Sequence, residues 1–363
     1  MSFHSVKFAI KDHQLQFFPI VRQRVQEYFE KNGISTYANT AMVVKTVSMF
    51  LMYVVPFVLI LTAISTSPLL NLVFWFIMGL GMAGLGLSVM HDANHGAYSK
   101  FTFVNKLVGS VMYIIGGNPV NWRIQHNVLH HSFTNVDGVD EDIDSGSILR
   151  FSPHQKAKKI HRYQHFYAWF LYSLMTVMWA TTKDFRQLFR YKKLNLHQTQ
   201  KRKFSGLLFE ITISKIAYYT IFLIVPLLLA GVSWYITLIG FFIMHLVCGF
   251  ILSCIFQPAH VMPHMSFPLP DESGNIQNSW AIHEMLTTGN FAPNNKVLSW
   301  FAGGLNFQIE HHLFPNICHI HYKKISDIVK QTAEEFMLPY YCEPSFRMAL
   351  YKHGQMLKQL GRG

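Results

Sequence analysis

"TVSMFLMYVVPFVLILTAISTSPLLNLVFWFIMGLGMAGLGLSVMHDANH", residues 46–95, holds two apolar runs, at 46–66 and 68–90, joined by the uncharged tip "STSP" and followed at once by His91 and His95. Each run is long enough to cross about 30 Å of hydrocarbon as a helix. A second pair, 211–232 and 233–256, meets at "AGVSW". Backbone polar groups in lipid must be satisfied within each segment, so each pair is expected to form a helical hairpin. Both tips then lie on one side of the membrane and the histidine-bearing ends on the other. The composition agrees: 50% of the 363 residues are apolar, 15% aromatic and only 14% charged, which excludes an ordinary soluble domain.

Charge supplies the orientation. The net charge is +12, and the segment 183–203, "KDFRQLFRYKKLNLHQTQKRK", sets eight Lys/Arg against one acid. The positive-inside rule makes this a cytoplasmic loop and puts the basic N-terminal region and the C-terminal tail on the same side. The loop suits acidic lipids or an acidic electron donor. No nucleic-acid-binding fold surrounds it, so no nucleic-acid partner is expected. Cys248, Cys254, Cys318 and Cys342 form no CxxC pair, which argues against a disulfide framework or a zinc finger. The N-terminal "MSFHSVKFAIKDHQLQ" lacks a cleavable signal pattern.

Residues 166–182, "FYAWFLYSLMTVMWATT", are short and rich in interface-seeking Trp and Tyr. A fifth crossing there would divide the histidines between opposite faces, so this stretch reads as an interfacial helix. So does 104–120, which "GGNP" interrupts. The expected fold is all-α and integral to the membrane: four transmembrane helices as two hairpins, interfacial helices, and a cytoplasmic histidine-rich cap. The expected divisions are an N-terminal cytoplasmic segment (1–45), the membrane domain (46–325) and a cytoplasmic tail (326–363).

The histidines fall where one site can collect them. "HDANH" holds His91 and His95 at i and i+4, "HNVLHH" holds His126 and His130 at i and i+4 with His131 adjacent, and "QIEHH" holds His311 and His312. Residues i and i+4 share a helix face, so each pair can converge. His260 follows the fourth run on the same side. Eight imidazoles exceed the needs of one ion and imply two. Imidazole suits iron, zinc, copper and nickel alike. No Glu-x-x-His occurs, which disfavours a carboxylate-bridged di-iron bundle. HExxH is also missing, His283-Glu284 being followed by Met-Leu-Thr. A histidine-rich pair of irons that activates O2 over a lipid tail fits the membrane setting better than hydrolysis does. Metal-bound imidazoles need carboxylate or carbonyl partners, and Asp92, Asn135, Asp140, Asp142 and Glu310 are candidates. His245 stands about 22 Å along a regular helix from His260, too far to share a metal; it lines a cavity or pairs internally. His264, behind Pro263, is read as outside the site.

In order and spacing, "HDANH", "HNVLHH" and "QIEHH" resemble the boxes of the integral-membrane fatty acid desaturase family. The resemblance continues through "HHSFTNVDGVDEDID" (130–144), "WAIHEMLTTGNFAP" (280–293) and "GGLNFQIEHHLFPNICHIHY" (303–322), and covers about residues 45–325. Gln308 opening the third box is similar to the front-end and linoleoyl-CoA-type subgroup. The resemblance implies two iron ions, O2 as oxidant, and a cis double bond formed in an acyl chain of an acyl-CoA or a membrane lipid. Many such members carry a fused cytochrome b5 marked by HPGG, which is missing here. A separate donor of ferredoxin or cytochrome b5 type is therefore expected, and with it a bacterial inner membrane rather than the endoplasmic reticulum. Gln308 stands where other desaturases have a histidine, as a weaker ligand, an open position or a hydrogen-bond partner of bound water. His283 is a ligand or a neighbour of one. Asn118, Trp122 and Arg123 precede the second box and are expected near the substrate headgroup. A lipid hydroxylase or ketolase using the same histidines, and a haem-binding electron carrier or transporter, are the alternatives.

Overall fold

The structure is a computed structural model that describes residues 6–8, 15–64, 66–144, 146 and 148–362. Most of the expected segment before residue 15, and Ser65 of the first tip, therefore lie outside the described residues. Among the described residues, four helices are long and apolar enough to cross a membrane: Thr40–Leu61, Pro68–Asn94, Phe204–Leu229 and Trp234–His260. They pair as two hairpins.

Their ends differ from the hydropathy reading for physical reasons. The first span starts six residues early because Asn39 caps it, its side chain accepting the Met42 N–H at 3.2 Å. Lys45, read as a flank, is instead a buried residue of this helix. The second span starts where Ser67 and Pro68 predict, as N-cap and first-turn proline. It then runs on through a π-helical turn, Leu85–Val89, and carries the first histidine box on its last turn. The fourth span likewise reaches His260 itself.

The spans are not equivalent. Only 28% of the apolar stretch is buried in the first and third, against 67% and 56% in the second and fourth. The second and fourth are the inner pair, and small residues let them close. A Cβ on Gly79 would stand 2.8 Å from the Met244 carbonyl oxygen of the fourth span, and Gly81 lets the second span close on the first in the same way, its Cβ position being 2.6 Å from the Tyr53 nitrogen. Close backbone approach of this kind holds helices together in lipid, where apolar side chains gain nothing by leaving hydrocarbon. The outer spans turn Val47, Leu51, Val54, Ile213, Ile216 and Leu228 outward.

The two stretches read as interfacial are built of helices. Residues 102–123 break at Gly116-Gly117 into short helices, and the last, Pro119–Arg123, is capped by Asn118. Gln164–Ser173 lies against the fourth span with Phe166 and Phe170 exposed. The cap is made from helices Phe17–Asn32, Trp280–Thr287, Gln308–Leu313 and Tyr322–Glu335, which share one apolar core. The C-terminal helix Phe346–Leu360 packs on the fourth span and on Gln164–Ser173. Two parallel two-residue bridges add a trace of strand that the all-α reading lacked. Lys7–Phe8 pairs with Asn275–Ile276, and Asn290–Phe291 with Cys342–Glu343, tying the terminal segments to the body.

Candidate metal centre

Each box is presented by a different local device. His91 and His95 are one α-turn apart at the end of the second span, with the His95 N–H on the His91 carbonyl at 3.1 Å. The second box is not α-helical. Ile124–His130 is a π-helix, and the His131 N–H reaches the His126 carbonyl at 2.9 Å, an i→i+5 bond. A π-turn takes more residues than an α-turn, so both i+4 and i+5 lie beneath residue i. That brings His130 and His131 together under His126. The third box follows Gly303 and Gly304, both left-handed at φ +61° and +65°. A Cβ on Gly303 would stand 2.7 Å from the Ser88 Cα, so this turn seats the box against the π-turn of the second span. On the helix that follows, His311 and His312 diverge by about 100°.

The structure brings all eight expected histidines together, in two corners. The ligand atoms of His91, His95, His126 and His311 lie within 4.8 Å of one another, and so do those of His130, His260 and His312. His131 stands between the corners. Its Nε2 is 3.2 Å from His126 Nε2 and 2.9 Å from His311 Nε2, and its ring stacks on His312 at 4.3 Å.

The donor set fits a metal. Among the described residues, the buried Nε2 atoms of His95, His260 and His312 have no protein partner. In the second corner the opposite nitrogens are anchored: His130 Nδ1 on Asp140 at 3.1 Å, His260 Nδ1 on the Thr287 carbonyl at 3.2 Å, and His312 Nδ1 on Glu284 at 2.7 Å. A ring that donates from Nδ1 turns the lone pair of Nε2 inward, which is how proteins orient metal-binding histidines. Burial pushes His95 down to about 3. Burial, reinforced by neighbouring imidazoles, holds His126, His131, His311 and His312 well below their ordinary value. Neutral imidazole is the ligand form. His130 is the exception: burial opposes its charge, but Asp140 and Asp142 outweigh burial and raise it to about 9.

The carboxylates are placed unevenly. Asp140 holds His130 and also accepts the Asn135 N–H at 2.8 Å. Asp142 lies 3.5 Å from His130 and 3.8 Å from His126. Asn135, at φ +60°, donates its side-chain amide to the His260 carbonyl at 2.8 Å and so holds the end of the fourth span. Asp92 and Glu310, expected to brace box histidines, do not touch them. Asp92 accepts from His319 Nδ1 at 2.8 Å, and Lys45 Nζ stands 2.6 Å from Nε2 of that ring. Glu310 faces Asn290 and Tyr340, each at 2.8 Å. Adjacency in sequence misleads on a helix, because the next residue points about 100° away.

Of the remaining expectations, Trp122 packs its ring 4.5 Å from His126 and 5.4 Å from His91. Arg123 donates to Asn94 and to Gln200, each at 2.9 Å, and Asn118 is buried as a helix cap facing Glu210. Both are committed to protein partners, and neither lines the cavity described below. His283 is buried beside Phe8 and falls outside both corners. Gln308 is buried one turn before His312, with its Nε2 unpartnered. His264 lies apart, near Glu343 at 3.8 Å. His245 pairs internally, with Tyr218 at 3.0 Å and Thr176 at 3.2 Å. Sequence reasoning passed over Glu284, which holds His312 from another helix, and Tyr322, which holds His311 at 3.1 Å.

A cavity of about 450 Å³ runs up to the centre. His126, His130 and His260 line it, together with the apolar side chains of Trp122, Phe256 and Met175. Buried metal-type nitrogens beside an apolar channel suit chemistry on hydrocarbon.

The fatty acid desaturase family model matches residues 67–344. The chain is 35% identical over 345 residues to the sn-1 linoleoyl-lipid 6-desaturase of Synechocystis sp., covering 94% of this chain and 95% of that one. It is also 35% identical to the protein of that name from Arthrospira platensis, over 94% and 91%. To the acyl-lipid (8-3)-desaturase of Physcomitrium patens it is 34% identical, over 95% of this chain and 72% of the relative.

Proposed function

This chain belongs to the fatty acid desaturase family and is a membrane acyl desaturase, and from that premise we propose that its two histidine corners hold two iron ions, that O2 is the oxidant, and that the substrate chain is carried on a membrane lipid. The observation that carries this reading is the set of inward-facing, partnerless Nε2 atoms of His95, His260 and His312, beside a channel that His260 itself lines. The relatives' names supply the lipid-linked substrate.

His91, His95, His126 and His311 would hold one ion, His130, His260 and His312 the other, with His131 between them. Iron bound there supplies the oxygen chemistry that acts on unactivated C–H bonds. The protein's own residues do the rest. Asp140, Glu284 and the Thr287 carbonyl fix the rings of the second corner through Nδ1, so that no reorganisation is needed during turnover. Gln308, on the His312 face of its helix, offers a weaker donor and leaves that corner the more open one. Trp122, Phe256 and Met175 keep water from the channel and hold one carbon pair of the chain against the histidines. Overall, two neighbouring methylenes lose one hydrogen each, and O2 accepts four electrons, two from the chain and two from an external donor. With two added protons it leaves as two waters. The donor would be of ferredoxin or cytochrome b5 type. The basic 183–203 segment supports a cytoplasmic cap.

Expression in a host of known lipid composition, followed by mass spectrometry, tests the reading. Lipid lighter by two hydrogens, formed only with O2, is expected. A lipid heavier by one oxygen, or a Soret band in protein free of non-haem iron, would overturn it.

A further inference from the structure

The channel opens between two kinds of surface. At its mouth Ile148 and Met178 are apolar and exposed, at 53% and 39%. Phe166 and Phe170 stand nearby on Gln164–Ser173, exposed at 71% and 63%. Leu171 of that helix lines the channel interior. In a protein with four membrane spans, an exposed apolar rim of this kind belongs in the bilayer rather than in water.

Two cations line the same cavity, Lys183, half-buried, and Arg186, exposed. The Lys183 ammonium stands 5.3 Å over the Trp179 ring, which also lines the channel. Among the described residues neither cation has an ion-pair partner. The other charged groups of the lining are Glu141, Asp142 and Asp144. Arg190 takes Glu141 and Asp144, each at 3.2 Å, and Asp142 turns to His130 and His126. Asp184, next to Lys183, is committed to Lys215. Lys183 and Arg186 are therefore the two cations of this lining without an ion pair among the described residues, while its carboxylates are turned to Arg190 and the histidines.

We propose that Lys183 and Arg186 form a headgroup site that selects acyl chains on an anionic phospholipid such as phosphatidylglycerol, the chain entering from the bilayer past Ile148 and Met178. This rests on the acyl-lipid desaturase reading above. A phosphodiester brings one negative charge and two oxygens, which a guanidinium binds in a bidentate fork and an ammonium as a point charge. Neutral glycolipids lack that charge. Acyl-CoA shares the phosphate chemistry but brings several more charges and a bulky nucleotide, which two cations at a bilayer-facing mouth do not match.

The test is a competition in iron-loaded full-length protein, reconstituted in nanodiscs with an electron donor. Linoleoyl phosphatidylglycerol and a linoleoyl galactolipid are supplied in equal amounts, and a parallel arm receives linoleoyl-CoA. Products are counted by mass spectrometry. Phosphatidylglycerol is expected to be converted about tenfold faster than galactolipid, the worth of a single charge-assisted hydrogen bond. In K183Q/R186Q that ratio falls close to one. In K192Q/K193Q, whose exposed lysines lie outside the channel, it holds, which separates a headgroup site from general attraction to an anionic surface. Equal conversion by the wild type, an undiminished ratio in K183Q/R186Q, an equal fall in K192Q/K193Q, or preference for linoleoyl-CoA each overturns the proposal. Product from some substrate without headgroup selection sinks only this inference. No product from any substrate sinks the desaturase reading with it.

Discussion

The two histidine corners share the second and third boxes, yet they are held in opposite ways. The first has four nitrogens and little bracing: His311 leans on Tyr322 at 3.1 Å, His126 is 3.8 Å from Asp142, and His91 Nδ1 has no partner. The second has three nitrogens, and every ring is fixed, by Asp140, the Thr287 carbonyl and Glu284. The first corner is defined by the number of donors packed together, the second by hydrogen bonds that aim fewer donors. A site short of a ligand keeps its geometry only if the remaining ligands are fixed. The braced corner is therefore the one that can leave a position free beside the channel, which His130 and His260 both line.

The sharpest way to break this contrast is to remove a ligand from each corner. H312A and H91A are both expected to abolish product while the spans still insert. H312A should retain about half of the wild-type iron, because four first-corner donors survive and suffice for one ion. Iron analysis alongside product counting checks this, and normal turnover in either variant would contradict it. The next largest effect concerns the bracing. E284Q and D140N should lose about 10–100-fold in activity or metal affinity, and Y322F, which removes a neutral partner from the first corner, markedly less. Equal losses would mean that the corners are held alike.

Titration separates the corners more gently. In metal-free protein His130 carries a proton up to about pH 9, because Asp140 and Asp142 overcome its burial. A metal must displace that proton, so second-corner uptake should strengthen by about tenfold per pH unit up to that value. Burial already holds His95, His126 and His311 neutral, so first-corner uptake should be nearly flat over the same range. Stoichiometric titration of apoprotein at several pH values reads both, and a common slope would refute the difference. The smallest effect is expected of H283A, a few-fold in rate at most with full iron retained, since His283 lies in neither corner. Loss of an iron in that variant would place it among the ligands.

The four spans and the convergence of the histidines were legible because both are periodic or compositional. What escaped was set by contacts distant in the chain. Lys45 looked like a flank, since a lysine inside a span is improbable without a buried partner, and its partner His319 is 274 positions away. The second box reads as an i,i+4 pair in sequence, and nothing in its letters signals the π-turn that brings His130 and His131 together. Asp92 and Glu310 were nominated by adjacency to histidines, yet their helices point them elsewhere. Glu284, 28 positions before His312, carried no spacing signal at all. Its one available sign was its place beside His283 within "WAIHEM".

The central claim, two differently built corners each holding an iron, is tested most directly by counting metal in active protein. Inductively coupled plasma mass spectrometry of purified chain that converts acyl lipid should find about two irons per chain. Active protein carrying a single iron, or zinc in place of iron, would contradict the account.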